Sequence, residues 1–209
     1  ILREVLGYLE DGKSFKEAAY LAQNLGEKAR ADRIFSQYLD ATSARILEEE
    51  NKSLRAQKLL RLGDEAKGFG LENKAKEVFS LAALAAQSAG YFEHAGDIYG
   101  KNLGNIEKAN ELYRHALTKA LKTEELDDDA ALQEKLGNLD ESDRLYAEEI
   151  KRLEGVCEYQ KIPFRRIAFQ YEHRANLAEK RGNLASKKEF IDKASLFEEL
   201  ARYNLRCKD

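Results

Sequence analysis

Residues 104–117 read GNIEKANELYRHAL, and the fold turns on this stretch. Gly104 is a stop residue able to take left-handed backbone, and Asn105 is a good cap for a helix that follows. Counting from Gly104, a small residue falls at plus five (Ala109), an aromatic at plus nine (Tyr113) and a small residue at plus twelve (Ala116). Apolar residues at Ile106, Ala109, Leu112, Tyr113, Ala116 and Leu117 follow steps of three and four, which places them on one helix face.

The pattern repeats along the chain. Gly26, Gly70, Gly104, Gly137 and Gly182 are separated by 44, 34, 33 and 45 residues. Plus five holds Ala31, Ala75, Ala109, Ser142 and Lys187. Plus nine holds Phe35, Phe79, Tyr113, Tyr146 and Ile191, and plus twelve Tyr38, Ala82, Ala116, Glu149 and Ala194. A small residue lets two helices approach, and an aromatic fills the space between one pair and the next. A lone pair cannot bury this face, so the units must stack. Strand signals are missing: Val occurs only at positions 5, 78 and 156, and Ala, Leu, Glu, Lys and Arg dominate. The predicted class is all-α. An N-terminal helix over 1–10 precedes helical hairpins over about 14–50, 53–88, 92–122, 128–158 and 164–206, in one domain covering 1–209. Ser14 with Glu17 has capping-box spacing, as does Asn138 with Glu141. Pro163 suits a first helical turn.

Leu62-Gly63, Ala66, Gly70, Ala75, Phe79 and Ala82, followed by 104–117, resemble the tetratricopeptide repeat family. The resemblance covers residues 14 to 206 and implies a right-handed superhelical solenoid of about five antiparallel hairpins. Departures are plain. The family's Trp position holds Phe15, Leu59, Glu93, Leu126 and Tyr171, and its Pro after the second helix is absent. The fifth unit keeps only Gly182 and Ala194 clearly, and the longer outer units are weakly similar to soluble NSF attachment proteins.

Composition narrows the function. The 209 residues carry 35 basic and 38 acidic side chains, a net charge of -3, which argues against a nucleic-acid-coating protein. No apolar run approaches the ~20 residues of a membrane span. The start, ILREVLGYLEDG, has scattered charge, unlike a signal or transit peptide. Residue 1 is Ile and Met is absent, so the chain reads as an excised piece, a processed piece, or a sequence whose true start is not included. Cys157 and Cys207 cannot build a disulfide framework or Cys-based metal site alone, which suits a reducing, cytoplasmic setting.

No catalytic, cofactor or metal signature emerges. His94, His115 and His173 make no metal-ligand spacing. Gly68-Phe69-Gly70 ends a helix and lacks the third glycine of a phosphate loop. The acidic run Glu124-Glu125-Leu126-Asp127-Asp128-Asp129 offers hard oxygens to a divalent cation; the simpler reading is an acidic loop whose Asp residues cap the next helix.

What remains is recognition. The resemblance implies that the first helix of each hairpin lines a concave groove for a protein or peptide partner. The positions so implied are Lys16 and Tyr20; Gln57, Leu60 and Asp64; Tyr91, His94, Ile98 and Lys101; and Phe169 and Glu172. Glu124, Asp127, Glu134, Glu172 and Glu179 make the C-terminal part acidic, which predicts basic residues in the partner there. The carboxylate-gripping Lys and Asn of one family subtype are absent. The leading expectation is a non-catalytic scaffold. The alternatives are a ligand- or peptide-sensing domain of a larger signalling or transcription protein, and RNA binding by helical repeats, which the net charge disfavours.

Overall fold

The computed structural model describes residues 2–120, 126–156 and 164–206. Among these there is no strand, and the chain is all-α. The helices are α1 (Leu2–Asp11), α2 (Phe15–Asn24), α3 (Lys28–Leu47), α4 (Lys52–Phe69), α5 (Glu72–Ser88), α6 (Phe92–Asp97), α7 (Ile106–Ala120), α8 (Leu126–Lys135), α9 (Leu139–Val156), α10 (Phe164–Lys180) and α11 (Leu184–Arg206). A π-helical turn over Ile98–Asn102 follows α6, so the first helix of the hairpin predicted over 92–122 changes winding midway. Among the described residues, no helix is long and apolar enough to cross a membrane. Pro163, Cys157, Cys207, Glu124 and Glu125 lie outside the described residues.

The glycine joints close as their residue type requires. All five aligned glycines have positive φ, between +68° and +92°, as does Gly90. At Gly70 the glycine N–H donates to the Lys67 carbonyl and the Leu71 N–H to the Ala66 carbonyl, both at 3.0 Å. This double bond satisfies carbonyls that the end of α4 would otherwise leave free. The same pairing closes α2, α5, α8 and α10. Asn105 and Asn183 cap as their position predicts, accepting from the N–H groups of Lys108 (3.0 Å) and Ser186 (3.1 Å). Ser14 does not: it sits at the N-cap of α2, but its side chain makes no capping bond, so only its carbonyl serves, accepting from Ala18. Asn138 turns its amide to the Gln133 side chain.

Two compact units divide the chain, residues 1–112 and 113–209, and the boundary falls inside α7. In the first, consecutive helices pack in chain order from α1 to α6. Its core holds the small and aromatic repeat positions: Ala31, Phe35, Ala75, Phe79 and Ala82 are all buried. Phe35 of α3 stacks on Phe69 of α4 with ring centres 4.0 Å apart. Phe79 of α5 lies directly over Gly63 of α4, the closest approach that pair makes to a glycine.

The second unit packs α8 on α9, α9 on α10 and α10 on α11. Its apolar clusters centre on Tyr146 and Leu177, and on Ile150, Ile167 and Tyr171. Ser142, at the small plus-five position, is fully buried and donates to the Ala130 carbonyl at 2.8 Å. The fifth unit departs from the pattern: Lys187 is half-buried and paired with Glu179, and Ile191 stays exposed.

Candidate functional site

In the first unit, Lys16 and Tyr20 stand one turn apart on α2, and both are tied to neighbouring helices. The Lys16 ammonium donates to Glu65 Oε2 on α4 at 2.8 Å, and the Tyr38 hydroxyl of α3 donates to the same oxygen at 3.0 Å. Glu65 therefore links α2, α3 and α4. Its hydrogen bond holds the Lys16 pKa above the ordinary lysine value. Burial first, and Glu65 second, pushes the Tyr38 hydroxyl up. Tyr20 is 43% exposed, yet its ring meets Phe35 and Phe69 edge-on at 6.0 and 5.4 Å. One side of that ring is core and the other is available to a partner, a division that suits tyrosine at interfaces.

Gln57 and Asp64 are exposed on α4, as are His94 on α6 and Lys101 in the π turn; Tyr91, the residue before α6, is 49% exposed. Tyr91 and His94 meet edge-on at 6.0 Å, and Lys101 pairs with Asp97 at 3.1 Å. Two predicted partner residues belong elsewhere. Ile98 is 5% exposed and part of the core, because an apolar side chain at the start of the π turn is drawn inward. Leu60 is half-buried and packs against the same core. The resemblance implied a groove position for Ile98, but Ile98 lies three residues after the buried Ala95, on the core side of its helix; the winding changes only beyond it, where the Leu103 N–H reaches back five residues to Ile98.

Beside this face lies an open cleft of about 680 Å³ in the first unit, between the C-terminal half of α3 and α4. Tyr38, Thr42 and Leu62 form part of its lining, and Arg45 and Arg61 stand on it without ion-pair partners among the described residues. Lys58 is tied to Glu49 at 2.6 Å. No spacing in the sequence announces this cleft, because it depends on how α3 and α4 diverge.

In the second unit, Phe169 and Glu172 are both exposed on α10. Phe169 meets His173 edge-on at 4.4 Å, and His173 in turn stacks on Tyr146 at 5.0 Å. Most of the predicted acidic face is neutralised: Asp127 pairs with Arg166 (3.4 Å), Glu134 with Lys180, and Glu179 with Lys187 (2.7 Å). Glu172 keeps no ion-pair partner among the described residues. The acidic run is also no loop where it is described, since Leu126–Asp129 form the first turn of α8, with Asp129 buried. Among the described residues, no three His, Cys, Asp or Glu side chains gather to hold a metal ion.

The polar centre of this unit escaped the sequence reading. Glu149 of α9 is fully buried, and its carboxylate accepts from Arg152 at 2.6 and 2.8 Å and from Arg166 of α10 at 3.0 Å. Glu149 holds Arg152 above the ordinary guanidinium value. The one available signal was a carboxylate at plus twelve, where the four other units have Tyr38, Ala82, Ala116 and Ala194 and Glu is out of place. Asp129 Oδ1 and Gln170 Oε1 are buried with no hydrogen-bond partner among the described residues, and burial pushes the Asp129 carboxyl up.

No family model matches the chain, and no curated protein does. Among solved structures, the crystal structure of BtubC (BKLC) from P. vanneervenii is similar over 94% of this chain and 82% of its own length, at 17% sequence identity and a TM-score of 0.46.

Proposed function

We propose that the chain is a non-catalytic scaffold of the tetratricopeptide type, one array of antiparallel hairpins that holds a protein or peptide segment along the first helices of its pairs. One observation carries the reading. In four successive units the small residue at plus five is buried, the aromatic at plus nine is buried, and the glycine that anchors the count is left-handed. Packing in chain order within each unit supports stacked repeats, which bury a core through neighbours and leave a long face for a partner. In the first unit Tyr20, Gln57, Asp64, Tyr91, His94 and Lys101 are exposed, and in the second Phe169 and Glu172 are exposed. Ile98 and Leu60 serve the core and are no part of that face.

The test is affinity capture with the whole chain as bait, against a variant carrying Tyr91→Glu, His94→Glu and Lys101→Glu. All three positions are exposed, so the variant keeps the fold, checked by its helical circular dichroism. A partner held by the parent and lost by the variant supports the scaffold and locates its face. A partner held equally by both removes this face from the reading.

A ligand-sensing domain is the second reading, and the cleft beside α3 and α4 favours it. At about 680 Å³ it falls within the size range of small-molecule sites, and Arg45 and Arg61, without ion-pair partners among the described residues, share its walls with Glu48, Glu49, Glu50 and Glu65. Arg45→Ala with Arg61→Ala abolishes ligand-induced thermal stabilisation in this reading and leaves partner capture unchanged in the first.

A further inference from the structure

In two units, one in each half of the chain, the helix that follows the aromatic-bearing helix meets it at the same positions. Nine residues after Gly26, Phe35 is stacked by Phe69 of α4; twelve after, Tyr38 donates to Glu65 of α4. Nine after Gly137, Tyr146 is stacked by His173 of α10; twelve after, Glu149 is paired by Arg166 of α10. At plus thirteen and plus sixteen, Ile150 and Leu153 cluster with Ile167 and Tyr171 of the same helix. These positions are the face on which an arriving helix lands.

On α11 the same count from Gly182 gives Ile191, Ala194, Ser195 and Glu198. Ala194 is buried in the cluster of Ile150, Leu153, Ile167 and Tyr171, whereas no helix among the described residues covers Ile191 and Ser195. Ile191 is 45% exposed where Phe35 and Tyr146 are 0% and 1%. In place of a landed helix there is a cleft of about 520 Å³, lined by Glu172 of α10 and by Ile191, Ala194, Ser195, Glu198, Glu199 and Arg202 of α11. Glu172, Glu198 and Glu199 have no ion-pair partner among the described residues. The cleft thus joins an apolar floor to a carboxylate excess that one arginine, Arg202, does not balance. Within this unit, Glu149 shows what answers a carboxylate on such a face: Arg152 of its own helix and, from the incoming helix, Arg166.

We infer that the α10–α11 cleft is a docking site for a basic amphipathic helix of a partner protein, which seats an apolar residue on Ile191 and sets Lys or Arg against Glu172, Glu198 and Glu199. This is a helix-in-groove mode of recognition. The site is distinct from the face proposed above, sharing only Glu172, and it stands whether or not that face binds anything.

The probe is a synthetic peptide of about the length of α10, 17 residues, with Leu and Ala on one helical face and Arg and Lys on the other. It is labelled and titrated into the whole chain by fluorescence anisotropy. Controls are a peptide of the same composition in scrambled order and one with every Arg and Lys replaced by Glu. The protein variants are Glu198→Lys with Glu199→Lys, and separately Ile191→Asp; these exposed or half-buried positions are checked for retained helix content and melting temperature.

The amphipathic peptide is expected to bind and the scrambled one to fail. Each variant should weaken binding roughly tenfold or more, as expected when central contacts of an interface are lost. The acidic peptide should bind the double-lysine variant better than it binds the parent, a charge exchange that mere destabilisation would not produce. Equal binding of ordered and scrambled peptides, no binding at all, or unchanged binding by both variants overturns the inference. Sedimentation gives one more overturning outcome: a dimer of the parent that either variant dissolves would assign the cleft to a second copy of this chain.

Discussion

Phe79 fills the space that a side chain on Gly63 would need. A Cβ built on Gly63 would lie 2.5 Å from two carbon atoms of the Phe79 ring, and that ring is 1% exposed with nowhere to retreat. Gly63→Ala gains helix propensity of up to about 1 kcal/mol. Overpacking a filled core costs about 1–3 kcal/mol and outweighs it. Gly68, in the same helix, has nothing within 4 Å of its Cβ position. Chemical denaturation should therefore show Gly63→Ala less stable than the parent and Gly68→Ala more stable, the latter by about 0.5–1 kcal/mol. The same sign for both would break the link between α4 and α5 described above.

The buried Glu149 gives a second prediction. Arg152 and Arg166 are each half in solvent, so losing one leaves the carboxylate with a partner and should cost about 1 kcal/mol. Losing both strands a charge that is 0% exposed, and the cost should rise to about 3 kcal/mol or more. Arg152→Ala with Arg166→Ala is thus expected to exceed the sum of the singles in urea denaturation. Glu149→Gln added to that double variant should recover part of the loss, since it removes the stranded charge.

Asp129 makes stability depend on pH. Burial raises its folded pKa above the unfolded value, so the folded chain binds more protons than the unfolded chain between the two. Stability from this group is greatest below the ordinary carboxylate range and falls as pH rises through the folded pKa. Asp129→Asn removes the charged form. It should raise the melting temperature at pH 7, with the gain shrinking as pH drops into the ordinary carboxylate range. A constant gain at every pH would trace the effect to something other than the buried charge.

Ala109 tests the repeat register itself. It is 2% exposed at the small position of α7, while Ile106, three residues earlier, is 61% exposed. Ala109→Lys should cost about 3 kcal/mol or more through overpacking and a buried ammonium. Ile106→Lys should fall within about 0.5 kcal/mol of the parent. Thermal melts of the two variants read the difference directly.

These residues also mark what could be read without the structure. The joints at Gly26, Gly70, Gly104, Gly137 and Gly182 were legible because positive φ is written in residue type, and Ala109 with Tyr113 because a helix buries every third or fourth residue. Ile98 was misplaced on a binding face because the resemblance assigned it there by position, although it lies three residues after the buried Ala95 on the core side of its helix. Glu149 went unrecognised because its partner Arg166 arrives from another helix 17 residues on. The Asp127–Asp129 stretch looked like a loop because its charges dominate its composition, although acidic residues suit the first turn of a helix equally well. Local geometry was thus visible, and ion pairs between helices were not.

The unequal repeat lengths have a consequence for how such a chain can change size. Helix α4 has 18 residues where the stretch from Phe92 to Asn102 has 11, and α10 has 17 where α8 has 10. Each long member exceeds its short counterpart by seven residues, within a fraction of a residue of two full α-helical turns. Material added in that quantum lengthens a helix by about 10 Å and returns its buried stripe to nearly the same bearing. Insertions or deletions of two or five residues would swing the stripe into solvent. Length variation in this architecture is therefore accommodated in whole pairs of turns, with the glycine joint unchanged at the C-terminal end of each helix.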